Sequence, residues 1–169
     1  MVAVLPDLAV ALRSARRRAL HIEMRDGYEI TKEIEARLAG EPAPGPEAFA
    51  EWHDLLSPLV AAGGDLRRLR IVSEPITDYV RFEYEDTPAA NLAAGEQVRW
   101  IPRDRASDLR LPGNDFWLVD GTLLFNLAGG NGDWLGIQRN DDPDVLAFCL
   151  ESFEAAWSRG IDHADYRPA

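Results

Sequence analysis

The sequence predicts an α/β protein of the α+β kind, in which three N-terminal helices precede a mixed β-sheet. Apolar residues recur at helical spacing before residue 63, and after it short apolar runs alternate with turn signals. We expect the order β-α-β-β-β-β-α in this second part, with one parallel strand pair across the helix and antiparallel hairpins beyond it. The predicted organisation is a helical region, residues 1–63, packed on an α/β domain, residues 64–169.

The first part is predicted to form three helices, over residues 5–20, 30–40 and 47–62. In the second of them Ile30, Ile34 and Leu38 recur every four residues, which is the spacing of an amphipathic helix. Glycines follow the second and third helices and are expected to end them.

Five apolar runs are the predicted strands: DLRRLRIV, EQVRWI, FWLVD, TLLFN and DWLGIQ. Asp120-Gly121 and Asn131-Gly132 are two-residue hairpin signals between the last three runs. We therefore expect those three strands to form an antiparallel ribbon.

Two further helices are predicted in the second part. Ser73 is expected to cap the first, with Pro75 in its first turn and with Pro88 ending the helix or its regular part. Asp142 is expected to cap the second, with Pro143 at its first position. The predicted buried stripe of this last helix consists of Leu146, Cys149, Phe153, Ala156 and Trp157.

The composition bears on partners and compartment. A net charge of −11 repels phosphate backbones, so direct DNA or RNA binding is disfavoured and a basic protein partner is favoured. Arginines 16–18 could instead dock an acidic partner or a second copy, so a homodimer stays open. The one cysteine and the lack of a ~20-residue apolar span predict a cytoplasmic protein that does not enter the membrane.

The stretch LPGNDFWLVDG, residues 111–121, contains the main candidate site. Asn114 and Asp115 precede an apolar run, and Asp120 follows it. Asp120 is interpreted as a turn residue. Asp115 lies at the mouth of a predicted central strand, where it either pairs with an arginine or lines a cleft beside Trp117. We predict burial and pairing with Arg81 or Arg99, because the chain has a single lysine.

Charged residues on the predicted helix after residue 75 allow two interpretations. Asp78, Arg81 and Glu85 have the spacing of a solvated charge ladder. Arg81 could instead reach the strand ends and meet Asp115 or Glu96.

Catalytic and metal-binding motifs are incomplete. HIEMRD supplies too few ligands with metal-site spacing, and a structural network between Glu23 and Arg25 is expected in its place. Ser73 is not in a nucleophile elbow, and Cys149 falls on an apolar helix stripe. We therefore predict no catalytic residues, no metal and no cofactor.

Several unusual words in fixed order resemble a family of uncharacterised actinobacterial proteins: HIEMRDGY, RRLRIVSEP, DYVRFEY, AGEQVRW, NDFWLVD and AAWSRGIDHADY. The resemblance implies a locus near helix-turn-helix regulators and small companion proteins, tied to development or to toxin–antitoxin-like control. More remotely, the strand order with FWLVDG resembles half of a phospholipase D-like domain. The chain departs from that pattern because none of its three histidines begins His-x-Lys.

Three functions remain open at this point. The first is a non-enzymatic regulatory or interaction protein acting with such a regulator or companion protein. The second is a small-molecule sensor with a pocket lined by Trp100, Asp115 and Trp117. The third is an unrecognised hydrolase or nuclease using Asp115, Glu83 and Glu96. The candidate binding residues are Asp78, Arg81, Glu83, Glu96, Arg99, Trp100, Asn114, Asp115 and Trp117.

Overall fold

A computed structural model describes residues 6–28, 30–130 and 132–169. Within these ranges the strands are β1 Arg18–Glu23, β2 Asp65–Val72, β3 Gln97–Pro102, β4 Phe116–Val119, β5 Thr122–Ala128, β6 Trp134–Asn140 and β7 Ile161–Asp162. The helices are α1 Pro6–Ser14, α2 Lys32–Leu38, α3 Ala50–Ala61, α4 Asp78–Ala90 and α5 Pro143–Trp157. Short 3-10 turns cover Pro46–Phe49, Leu92–Ala94 and Arg103–Ala106. No helix of the described part is long and apolar enough to cross a membrane.

The described strands form one mixed sheet in the order β6-β5-β4-β1-β2-β3-β7. The three strands β1, β2 and β3 run parallel to one another. The ribbon β4-β5-β6 is antiparallel and joins the sheet through β1, and β7 pairs antiparallel with β3. The predicted α/β class and mixed sheet are confirmed, including the parallel pair across α4 and the β4–β5 hairpin.

The prediction of one helix over residues 5–20 is wrong in its second half. Helix α1 ends at Ser14, and β1 begins at Arg18. This strand was hidden because all but its first residue are buried, so RALHIE lacks the alternation between exposed and buried residues that marks a half-buried strand. The predicted helical region therefore supplies a central strand, and the boundary at residue 63 falls between two strands of the same sheet.

The two faces of the sheet have different cores. On one face Leu20, Ile22, Leu69 and other apolar side chains pack against α5. The predicted stripe of α5 is buried there, with Leu146 only partly so. On the other face, apolar clusters under α1 and α3 and beside α4 flank a row of charged side chains. The second face is therefore where polar chemistry is concentrated.

The predicted N-cap is confirmed for helix α5 and wrong for helix α4. Asp142 caps α5 as expected, since its carboxylate accepts from the Asp144 amide at 2.9 Å. For α4 the expected cap, Ser73, is wrong. The cap is Thr77, whose hydroxyl accepts from the Val80 amide at 3.2 Å, because the helix begins only at residue 78. Helix α4 also continues past Pro88 to residue 90.

Asp120 is both a turn residue and a fixed point for the chain after α1. Its φ of 51° is left-handed, which aspartate tolerates in a tight hairpin. Its carboxylate accepts from the amides of residues 16, 17 and 18 at 3.1, 3.0 and 2.9 Å. It thereby positions the start of β1. The turn predicted at Asn131-Gly132 includes Asn131, which lies outside the described residues.

Replacing Asp120 with alanine should lower the free energy of unfolding by about 1–2 kcal/mol, because three amides lose their acceptor. Although burial raises the pKa of Asp120, hydrogen bonds from the amides of residues 18, 16 and 17 lower it overall. This contribution is therefore present above the ordinary carboxyl pKa of 3.8 and disappears as pH falls through the lowered folded value. Urea denaturation from neutral to acidic pH measures both effects. The exposed Asp104→Ala is the control, and equal losses in the two variants would contradict the assignment.

Candidate functional site

The charged row on the second face comes from the alternation of side chains along two neighbouring strands. His21 and Glu23 on β1 point to the same side, as do Arg68 and Arg70 on β2. The parallel register sets His21 beside Arg68 and Glu23 beside Arg70. All four residues are buried, so the strands bring a carboxylate and an imidazole against two guanidinium groups inside the core.

Glu23 joins the two arginines directly. One carboxylate oxygen contacts Nη1 of Arg68, and the other accepts from Nε of Arg70 at 2.5 Å. Nε of Arg68 also donates to Glu96 at 3.0 Å, and Asn91 donates to the second Glu96 oxygen. Buried charges persist in a core only when they are paired in this way. We call the set His21, Glu23, Arg68, Arg70, Glu83 and Glu96 the charge cluster.

Helix α4 closes the charge cluster on the side of Arg70. Thr87 accepts from Nη1 of Arg70 at 2.9 Å, and Glu83 Oε1 lies 3.8 Å from Nη2. Burial raises the pKa of Glu83 to about 7; Arg70 opposes that rise, and the negative charge of Glu23 adds to it. Burial also raises the pKa of Glu23, but Arg68 and Arg70 hold it well below its usual range. The cluster thus contains one carboxylate firmly ionised and one that titrates near neutrality.

Aromatic rings enclose the cations. The guanidinium of Arg68 lies 5.3 Å from the ring centre of Trp117, and that of Arg70 lies 5.0 Å from Trp100. His21 stacks on Trp117 at 4.1 Å and 6°. Its Nδ1 donates to the Phe116 carbonyl at 2.8 Å, and its Nε2 faces Glu23 at 3.1 Å. Both ring nitrogens of His21 therefore face oxygen atoms.

Asp115 is buried, as predicted, but the predicted arginine partner is wrong. Its two carboxylate oxygens accept from the Met24 amide at 2.8 Å and from the Tyr28 hydroxyl at 2.5 Å. Arg81 forms the solvated ladder with Asp78 and Glu85, at 2.8 and 3.3 Å. It lies on the exposed side of α4 and does not reach Asp115.

Arg99, the other predicted partner of Asp115, is on the opposite face of the sheet, where Asp162 accepts from its Nε at 2.8 Å. Burial raises the pKa of Asp115, and the hydrogen bonds from Tyr28 and Met24 offset that rise only in part.

A small open pocket lies beside Asp115, where β1 ends and β4 begins. Its volume is about 200 Å³. We call it the edge pocket; Met24, Arg25, Pro112, Asn114, Asp115 and Asn126 are among the residues that line it. The carboxyl ends of parallel strands are a usual place for ligand sites in α/β proteins. Neither Trp100 nor Trp117 lines this pocket, since both rings are buried under the helices.

The structure groups the predicted site residues in three places. Glu83, Glu96, Trp100 and Trp117 belong to or enclose the charge cluster. Asn114 and Asp115 line the edge pocket. The remaining three, Asp78, Arg81 and Arg99, form ion pairs elsewhere.

Sequence reasoning missed the core of the charge cluster. The expected network around Glu23 exists, but its cations are Arg68 and Arg70, and no ion pair joins Glu23 to Arg25 among the described residues. The available signal was the arginine alternation in RRLR, which suits a strand only if carboxylates face it. Within the described part of the chain, no group of three or more histidine, cysteine or acidic side chains could hold a metal ion.

Residues 6–168 match a family described as a domain of unknown function, DUF6879. The chain belongs to this family. Among curated proteins, none matches it by sequence.

Two solved structures share the fold of this DUF6879 domain. One is the phospholipase D family member Nuc from Salmonella typhimurium, with a TM-score of 0.51, 14% identity, and coverage of 94% of this chain and 88% of that one. The other is TrmBL2, an archaeal chromatin protein reported to show a novel mode of DNA binding, with a TM-score of 0.51, 11% identity and coverage of 91% of this chain. The chain spans about half of TrmBL2, 48% of its length. At these identities the similarity establishes the remote phospholipase D-like fold and nothing about activity.

Replacing Glu23 with glutamine should lower the free energy of unfolding by about 3 kcal/mol, because two buried guanidinium groups lose their shared counter-ion. Urea denaturation at neutral pH measures the change. Glu151→Gln, the same substitution at an exposed position of α5, should change it by less than about 0.5 kcal/mol. A loss at Glu23 no larger than that at Glu151 would show that the pairs contribute little.

Replacing Glu83 with glutamine should change the pH dependence of stability. With a folded pKa of about 7 against 4.5 in the unfolded chain, Glu83 makes the folded state hold an extra proton between these values. Wild-type stability from this group therefore falls as pH rises from about 4.5 to about 7, and Glu83→Gln removes that fall. Urea denaturation should show that the free energy of unfolding of the variant, relative to the wild type, is higher at about pH 8 than at about pH 5. The same difference at both pH values, as expected for the exposed Glu51→Gln, would refute the raised pKa.

Proposed function

We propose that this protein is a non-enzymatic regulatory or interaction protein that binds a basic protein partner. The partner is a helix-turn-helix regulator or a small companion protein encoded beside it. The quoted sequence words support this choice of partner, because the proteins they resemble are actinobacterial and have such neighbours. A toxin–antitoxin-like or developmental locus is part of the same proposal.

The observation that carries the proposal is the outer edge of β6. This strand is an end strand of the described sheet, so one side of its backbone has no neighbouring strand there. It is seven residues long, and its first two residues, Trp134 and Leu135, are 44% and 66% exposed. Exposed edges with apolar side chains are where another chain adds a strand. We therefore assign β6 as the surface that takes up an extended segment of the partner.

Charge favours a different protein over a second copy of this chain. Two chains of net charge −11 repel each other at close range, whereas a DNA-binding regulator has a basic surface. The one charged side chain of β6 is Arg139, and Asp141 pairs with it at 2.8 Å, so its positive charge is balanced where a basic partner would approach. Electrostatic attraction would bring the partner to the surface, and strand pairing would hold it there.

The charge cluster supports a role without catalysis. Glu23, Arg68, Arg70 and Glu96 each form ion pairs inside the core, so their polar atoms are already engaged. A hydrolase or nuclease using Asp115, Glu83 and Glu96 has less support, because Arg68 and Asn91 hold both oxygens of Glu96. Direct DNA binding, which is reported for TrmBL2, is not part of the proposal, because a net charge of −11 repels phosphate backbones.

Leu135→Lys should weaken partner binding at least tenfold, or about 1.4 kcal/mol, because it removes an apolar contact and adds a charge that repels a basic partner. The chain is co-expressed with the regulator and with the companion protein encoded beside it. The dissociation constant of the purified complex is measured by isothermal titration calorimetry.

Val10→Lys is the matched control, because Val10 on α1 is also 66% exposed. It should leave the dissociation constant within about twofold, a change of less than 1 kcal/mol. Failure of both neighbours to bind, or equal effects of the two lysine substitutions, would overturn the proposal. Light scattering on the protein alone tests the alternative in which a second copy of this chain binds at β6. A wild-type dimer that Leu135→Lys dissociates would identify β6 as a self-association edge.

A further inference from the structure

The edge pocket contains a cation, Arg25, that pairs with no carboxylate in the described part of the chain. Arg25 is half-buried, yet no described residue forms an ion pair or a side-chain hydrogen bond with its guanidinium. Two other half-buried arginines are engaged: Arg37 by Glu85 and Asp86, and Arg103 by Asp26. A partly desolvated guanidinium that faces open space is a preferred site for a carboxylate or a phosphate.

Two amide side chains lie in the same pocket. Asn114 is exposed and Asn126 is half-buried, and neither side-chain amide bonds to a described residue. The backbone of Asn126 is nevertheless fixed, since its amide donates to the Asp115 carbonyl at 2.9 Å and it pairs with Ile137 of β6. The pocket therefore has N–H donors from Arg25 and Asn114, on the segments that flank β1 and β4, and from Asn126 on β5.

Asp115 adds an acceptor to these donors. Each of its oxygens already accepts one hydrogen bond, from Met24 or from Tyr28. An ionised carboxylate has about four acceptor positions, so it can accept further bonds from a ligand. Donors on one side and an acidic acceptor on the other select a ligand that has an anionic group and a hydrogen-bond donor.

The size of the pocket limits the ligand to a small metabolite. The volume of the edge pocket is about 200 Å³. Pockets for drug-sized ligands are larger, about 300–1,000 Å³. The charge of the ligand is limited as well, because a phosphate dianion would face the Asp115 carboxylate, whereas a carboxylate has only one charge, which Arg25 can neutralise.

We propose that the edge pocket binds a small α-hydroxy or α-amino acid, with its carboxylate on Arg25 and the two asparagines and its hydroxyl or ammonium group on Asp115. Binding at this site needs no partner protein. It is therefore separate from the strand-pairing surface proposed for β6.

The test is to titrate the purified protein with small acids and to monitor binding by ¹⁵N chemical shifts and by calorimetry. The probes are glycolate, L-lactate, glycine, L-alanine and L-serine, with acetate and inorganic phosphate as comparisons. At least one of the five acids should bind saturably in the millimolar range or tighter, with shifts at residues 24–26, 114 and 126. Acetate lacks the donor for Asp115, and phosphate has the extra charge, so both should bind at least tenfold more weakly, about 1.4 kcal/mol.

Arg25→Gln should lower the affinity for the acid at least tenfold, because it removes the counter-ion of the ligand carboxylate. The substitution breaks no internal ion pair of the described residues. Asn114→Asp, at an exposed position, should lower the affinity as well by repelling the carboxylate. Arg13→Gln, the same charge change at an exposed position of α1, should leave affinity within about twofold. No saturable binding by any of the five acids, tighter binding of phosphate or acetate, or unchanged affinity in Arg25→Gln would each overturn the proposal. None of these results bears on the complex tested with Leu135→Lys.

Discussion

The ion pairs of Glu23 with Arg68 and Arg70 constrain the rest of the structure. They join β1 to β2 inside the core, at neighbouring positions of a parallel register. A slip of one residue would turn Leu20 and Ile22 toward the cations and would leave the charges without partners. Burying charges here is costly, so a single register and a single strand order satisfy them. The same groups fix α4 through Thr87 and the segment before β3 through Glu96.

The two faces of the sheet then serve different purposes. Apolar packing against α5 removes a large hydrophobic area from water and accounts for stability in the usual way. On the charged face, replacement by well-packed apolar residues could be equally stable, so the cluster is better understood as a source of specificity. Trp100 and Trp117 exclude water from it and place aromatic ring faces near the guanidinium groups. This combination lets a polar row exist in the centre of a small domain.

How far the sequence could predict this arrangement depended on whether the signal was local. Asp142 followed by a proline defines the start of α5, and the Asp120-Gly121 hairpin places β4 beside β5, because both are interactions between near neighbours in the chain. Strand β1 was missed because burial on both faces removes its alternation. The pairing of Asp115 was missed for a related reason. Its partners, Met24 and Tyr28, lie about 90 residues earlier, in the segment that follows the undetected strand. Whether Asp115 meets a cation or a neutral donor depends on which loop passes over it in the folded protein.

That choice links the core to the surface. The strand that brings Glu23 to the arginines of β2 ends one residue before Met24, so the loop from residue 24 passes directly over Asp115. The Met24 amide and the Tyr28 hydroxyl satisfy the carboxylate, and Arg25, between them in the chain, is left facing the edge pocket. Had Arg25 paired with Asp115, its guanidinium would have been engaged in the same way as those of Arg37 and Arg103. Because a backbone amide and a phenol donate to Asp115, the guanidinium of Arg25 has no carboxylate partner among the described residues and lines the edge pocket.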